Sequence, residues 1–393
     1  MYYIGIDVAK RGHCMSVIEK GGEKTIEDFK FPNTKEGFDN MFAKLGSAGV
    51  THTGSRVVTE STGHYGKLLC AHLRRHGFEV AVANPIQTHG FRNSGSVRKV
   101  KNDAADSLAL AQWLAIGHPV STSSAAGITE ELKAIARLRT FQSQIIGDSK
   151  RKAVAILDQS FPEYEDFFSD AFGKSSLAVL KRYPGACAIS TARIDSLSKL
   201  IEKASRGKLG RDCAQRLKAL AKGSIAAALD DFGLSFALIA LIELIEVIKR
   251  QQDETDARLS ELMATISTPI VTIPGISTIL GATILGEIGD VSRFKGAPSL
   301  VAFAGLDVTV FESGEFKGTK RHLTKRGSSY LRWALWLAAD RSLRCDPYLS
   351  SYYWKKRSEG RGHKEAVCAL ARKLCGVIFA VLRDNKPYIR PDL

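Results

Sequence analysis

A chain of 393 residues with 44% hydrophobic content is long enough for two or three domains, each with its own core. Its formal charge of +15, from 56 Lys and Arg against 41 Asp and Glu, favours a polyanionic partner such as a phosphate backbone. No apolar run approaches the roughly 20 residues of a membrane span, no N-terminal stretch reads as a secretory leader, and the seven scattered cysteines form no Cys-x-x-Cys pair. A cytoplasmic protein with reduced thiols and no membrane partner is expected.

Tyr2 to Ala9, rich in β-branched and aromatic residues, predicts a strand buried on both faces with Asp7 near its end. Cys14 to Glu19 and Thr25 to Phe31 predict two strands around the hairpin signal Lys20-Gly-Gly, before Thr34 caps a short helix to Leu45. Ser55 to Glu60 predicts a core strand that again ends on an acid, followed by a helix over His64 to His76 and a strand over Phe78 to Ala83. Asn102 is the predicted N-cap of a helix whose first turn holds Asp103 and Asp106 on one face, a stripe continued by Leu110 and Trp113.

Acids favour a helix N-terminus for its dipole alone, by roughly 0.3–1 kcal/mol each. Asp7 and Glu60 add acids at two strand ends, where loops and helix termini converge in an α/β sheet. Four carboxylates at one point repel unless a cation holds them, and oxygen-only ligation selects a hard ion, Mg²⁺ or Mn²⁺.

Residues 128 to 159 predict a helix carrying Arg137, Arg139, Lys150, Arg151 and Lys152. Between 160 and 230 helical segments are broken by Pro162, Pro184 and Gly185, with a basic run from Lys203 to Lys222 to which the sequence assigns no chemistry. Leu238, Leu241, Ile245, Ile248, Gln252, Thr255, Leu259, Leu262 and Ile266 then alternate steps of three and four, a heptad seam expected to join two subunits. Ile273-Pro-Gly-Ile276 before an apolar helix predicts a helix-hairpin-helix-like turn whose N–H groups face a phosphate. From Phe316 to Ala339 there are six cationic residues, Lys317, Lys320, Arg321, Lys325, Arg326 and Arg332, and no acid, which predicts a nucleic-acid contact surface. Helices are predicted from Gly327 to Ala339 and from Lys364 to Leu382.

Asp7, Glu60, Asp103 and Asp106 match a DEDD pattern, and with Ile273-Pro-Gly-Ile, Ala302-Phe-Ala-Gly-Leu, Glu312-Ser-Gly and Leu323-Thr-Lys-Arg-Gly they resemble the insertion-sequence "one-ten" family of transposases over nearly the whole chain. The resemblance implies an α/β RNase H/RuvC-like domain (1–127), a long helical coiled-coil segment (128–267), and a mainly α C-terminal domain (268–393) with a helix-hairpin-helix-like motif and a catalytic serine, Ser313. It further implies an Mg²⁺-dependent recombinase acting on double-stranded donor and target DNA, chosen by a non-coding guide RNA, in a dimer or tetramer near the nucleoid. Ser313 would attack DNA, its proton taken by a group from elsewhere, because His322 has no acid beside it in sequence. The family's usual proline after Ala-Gly-Leu is replaced here by Asp307. Two other readings compete: a structure-specific nuclease that activates water with two metals, and a non-enzymatic nucleic-acid-binding protein with a degenerate nuclease fold, against which the presence of all four acids argues.

Overall fold

The computed structural model describes residues 1–61, 63–83, 85, 88, 90–91, 102–117, 127–228, 232–308 and 322–391, with the backbone of 312–313 and 316–317. The chain folds as two compact units, Met1–Ser124 and Ala125–Leu393.

In the first unit, β1 (Tyr2–Val8), β2 (Gly12–Glu19), β3 (Lys24–Pro32), β4 (Ser55–Glu60) and β5 (Glu79–Ala83) form one sheet in the order β3-β2-β1-β4-β5. β2 is antiparallel to both β1 and β3, whereas β1, β4 and β5 run parallel. The period-2 alternation of β1 sorts its side chains between two layers. Ile4, Ile6 and Val8 pack with Phe38, Met41 and Leu45 of α1 (Lys35–Ser47) and Leu69 and Leu73 of α2 (Lys67–Arg75). Tyr3 joins the opposite layer, where Leu110, Trp113 and Leu114 of α3 (Asp103–Ala115) cover Val58, Ala81 and Ala83. Both predicted caps form: Thr34 Oγ1 accepts from the Gly37 amide at 3.1 Å and Asn102 Oδ1 from the Ala105 amide at 2.7 Å.

The second unit is built on two long helices, α4 (Gly127–Ser160) and a later partner, α9 (Phe232–Ala264), each about 50 Å long at 1.5 Å per residue. Between them, α5 (Lys174–Arg182), α6 (Ala186–Thr191), α7 (Ile194–Ser205) and α8 (Arg211–Gly223) close a core of Leu157, Phe161, Tyr164, Leu180, Ile189, Leu197 and Leu217 against Leu238, Ile242 and Ile245 of α9. Further along, α10 (Thr278–Ile288), α11 (Ala297–Phe303), α12 (Ser329–Ser342), α13 (Pro347–Ser358) and α14 (His363–Asp384) close a second core with Leu132 and Ala136 of α4 and Leu259, Leu262 and Met263 of α9. Because the two long helices contribute to both cores, the border expected at 267 falls inside one compact unit.

One expectation is corrected by this packing. The heptad seam is filled within the chain: α4 and α9 lie antiparallel, with Arg139 on Asp256 at 2.9 Å, Arg258 on Glu131 at 2.8 Å and Gln252 Nε2 donating to Ser143 Oγ at 2.7 Å. The polar seam residue Gln252 therefore sets register between two helices of one subunit. At Ile273-Pro-Gly-Ile276 the turn is present, but Gly275 (φ +89°) lies against α12, where a Cβ would come 2.5 Å from the Ala338 carbonyl oxygen. That glycine is required by a close helix contact.

Candidate acidic site and serine hairpin

β1 and β4 are parallel with Ile6 opposite Thr59, so the next residues along, Asp7 and Glu60, stand at the carboxyl ends of neighbouring strands. The helix carrying the other two acids is brought to this end by Gly5. A Cβ there would overlap the Ser107 carbonyl oxygen and the Ala111 nitrogen, so only glycine lets α3 lie directly on β1. Ser107 fixes the crossing: its hydroxyl meets Ser16 Oγ at 2.8 Å and donates to the Ala104 carbonyl at 3.0 Å.

The result is a depression of about 380 Å³ lined by Asp7 and Asp103 together with Arg11, Cys14 and Lys30. Glu60 is turned aside, its carboxylate accepting from the Thr88 hydroxyl, and Asp106 does not line the depression. Among the described residues no three acid, histidine or cysteine side chains gather closely enough to hold an ion as placed. The donor chemistry nonetheless suits a hard divalent cation: Asp7 and Asp103 share the depression, and Glu60 stands at the end of the neighbouring strand.

Arg11 and Lys30 are site residues that the sequence reading missed; they belong to a turn and an edge strand, and only the sheet register sets Lys30 opposite Cys14, itself opposite Asp7. Cys14 Sγ donates to Asp28 Oδ1 at 3.3 Å, and burial pushes its thiol up to about 11. His13 alternates to the other face of the sheet, against Phe31 and Phe38, where burial lowers its pKa.

In the second unit, β6 (Glu312–Ser313) and β7 (Phe316–Lys317) form a two-stranded antiparallel hairpin with Ser313 opposite Phe316. The side chains of Ser313 and Lys317, and all of Lys320 and Arg321, lie outside the described residues. The base of the hairpin is closely tied. Val308 bridges Leu323, the Thr324 amide donates to the Asp307 carbonyl at 3.0 Å, the Lys325 amide to the Gly305 carbonyl at 3.2 Å, and the Ser328 amide to the Phe303 carbonyl at 3.0 Å. Asp307, in the place of the expected proline, accepts the Thr324 hydroxyl.

Beneath the base lies Glu287 of α10, a buried acid that the sequence reading passed over although it is the lone charge in an apolar helix. It accepts from Arg137 of α4 at 2.6 and 3.0 Å and from the Ser328 hydroxyl at 2.7 Å, while Ser328 caps α12. Arg332, expected on nucleic acid, is half-buried and donates to the Ala304 carbonyl at 3.2 Å, so its charge braces the same base; Lys325 and Arg326 remain exposed.

Residues 4–162 match a family model described as a DEDD transposase, and residues 267–354 match one described as the transposase IS116/IS110/IS902 family. The chain belongs to the IS110 transposase family. Similar proteins include the insertion element IS110 43.6 kDa protein of Streptomyces coelicolor, 26% identical over 98% of this chain and 95% of the relative, and the pilin gene-inverting protein of Moraxella bovis, 22% identical over 98% and 97%. The insertion element IS900 42 kDa protein of Mycobacterium paratuberculosis is 39% identical over 30% of each chain. This transposase is thus a DNA recombination enzyme of an insertion sequence, in a family whose DEDD domain implies a divalent metal. Asp7, Glu60, Asp103 and Asp106 fall in the first matched segment and Ser313 in the second.

Proposed function

We propose that this transposase cuts and rejoins DNA through a phosphoserine intermediate on Ser313, with Asp7, Glu60, Asp103 and Asp106 holding Mg²⁺. The observation that carries the acidic half is the single depression shared by Asp7 and Asp103, with two cations, Arg11 and Lys30, at its wall to receive a phosphodiester. Bound there, the metal would supply charge neutralisation at a phosphate oxygen. The serine half rests on the family's pattern at Glu312-Ser-Gly and on the rigid base beneath it, which limits the freedom of a residue that must meet a phosphate.

In this reaction the Ser313 hydroxyl oxygen attacks phosphorus, its proton passes to a base, and the P–O bond to the departing strand breaks to leave a hydroxyl end. A hydroxyl end of the new strand then displaces serine, so the bond energy is conserved without ATP. The reading extends to a non-coding RNA that chooses the two DNA partners and to a cytoplasmic, nucleoid-associated setting; among the described residues no helix is long and apolar enough to cross a membrane. It also extends to a dimer or tetramer. With the heptad seam occupied, such an assembly would use the outer stripes of the long helices, where Leu138 and Phe141 of α4 and Phe232, Phe236 and Leu244 of α9 are exposed.

Denaturing gels of Ser313→Ala with labelled element ends decide the chemistry. The expected result is loss of the covalent protein–DNA adduct with binding retained. Cleavage that persists without any adduct in the wild type would favour a water-activating nuclease, and an adduct that survives the substitution would refute the serine.

A further inference from the structure

The charge of this chain is concentrated where neither family description reaches. Residues 174–223, the four short helices α5 to α8, hold twelve Lys or Arg against three Asp or Glu, an excess of nine in a chain whose total is +15. Little of it is neutralised within the fold. Arg211 pairs with Asp195, Arg216 stands 4.0 Å from Asp212, and Lys181 reaches Glu246 on α9. Lys199, Lys203, Arg206, Lys208 and Lys222 are exposed and form no ion pair among the described residues.

The scaffold beneath them is rigid. Leu197 and Ile201 of α7 and Ala214, Leu217 and Ala221 of α8 are buried in one core, which fixes the α7–α8 hairpin. Lys199 and Lys203 stand one turn apart on the outer face of α7. Arg206 ends that helix in a left-handed conformation (φ +56°), and Lys208 follows in the turn. From 199 to 206 the row is about 10 Å long, which spans close to three base-pair rises of about 3.4 Å along a duplex axis. Favourable helix-dipole placement accounts for Lys203 and Lys222 at carboxyl ends, but not for Lys199 or Lys208.

We propose that the α5–α8 module is an auxiliary surface for the backbone of duplex DNA, gripping the transposase's substrate through phosphates and independently of the Ser313 chemistry. The absence of exposed large aromatic side chains from 174–223 distinguishes it from a single-strand platform, which needs rings for bases to stack on. No base-reading geometry is required of it, so the contact is indifferent to sequence.

The test is salt-dependent binding of the full chain to an unrelated labelled DNA duplex between about 50 and 200 mM salt, the range over which phosphate contacts are expressed. A fourfold variant, Lys199→Gln, Lys203→Gln, Arg206→Gln and Lys208→Gln, is expected to lower the slope of log affinity against log salt by about 3–4 units. The wild type then loses about 100-fold more affinity over that range than the variant does. The Lys→Arg version is expected to keep the wild-type slope. If the fourfold protein melts early, Lys199→Gln and Lys208→Gln are read singly, each lowering the slope by about one unit. An unchanged slope in folded variants overturns the proposal, as does a slope that falls on an A-form RNA duplex or on single strands but not on duplex DNA.

Discussion

Replacing Glu287 by Ala tests whether the base of the serine hairpin is held by a buried ion pair. The side chain is 2% exposed and accepts three charge-assisted or neutral hydrogen bonds, two from Arg137 and one from Ser328. Removing one partner of a fully buried pair costs about 3–5 kcal/mol, because the other is left charged and dry. Arg137 is 43% exposed and recovers part of its hydration, so the expected cost falls to about 2–3 kcal/mol. At about 2–4 °C per kcal/mol for a unit of this size, the melting transition should fall by about 5–10 °C. Circular dichroism melts of the full chain at low and high salt check this, and the deficit should persist in salt because the acid is shielded from counter-ions. Glu287→Gln, which keeps the volume but loses the charge, should fall between the two. The same loosening frees Ser328 and the hairpin base before it, so adduct formation should drop more than DNA binding. A Glu287→Ala protein that melts within about 1 °C of wild type would show that Arg137 and Glu287 merely coexist there.

Gly5→Ala places a methyl group against the Ser107 carbonyl and should push α3 off β1, costing at least the 1–3 kcal/mol typical of overpacking and parting Asp103 from Asp7; unchanged melting and unchanged emission from buried Trp113 would contradict it. Phe141→Glu with Phe236→Glu should lower the solution mass by light scattering without lowering the melt, whereas Ile245→Asp should unfold the α9 core because Ile245 is fully buried. A mass unmoved by the double change removes the outer stripes from the assembly. Cys14, whose thiol burial pushes up to about 11, binds its proton more tightly folded than unfolded; its contribution is therefore complete below the ordinary thiol range, about pH 9, and lost as pH rises towards 11. The difference between wild type and Cys14→Ser in melts across that window reads it, and a pH-independent difference would assign Cys14 no linkage.

Local pattern in the chain determined the elements and which face of each is buried. Alternation along Tyr2 to Val8 is a property of the strand itself, and Thr34 and Asn102 close helix termini through bonds spanning three residues, so each is written in adjacent letters. The four acids were legible for a similar reason, since each stands at an end that the pattern marks. What the tertiary structure decided is which partner each face meets. The heptads of α9 specify that a helix must cover them, but whether that helix comes from the same chain depends on how residues 161–231 return it alongside α4. Arg332 counts as a free cation in sequence and is committed to the Ala304 carbonyl in space, while Glu287 is a single letter whose two partners lie 150 and 41 residues away. Propensity and periodicity act over one or two turns of chain, whereas ion pairs, close glycine contacts and shared depressions are set by which surfaces the core brings together, and no local rule carries that information.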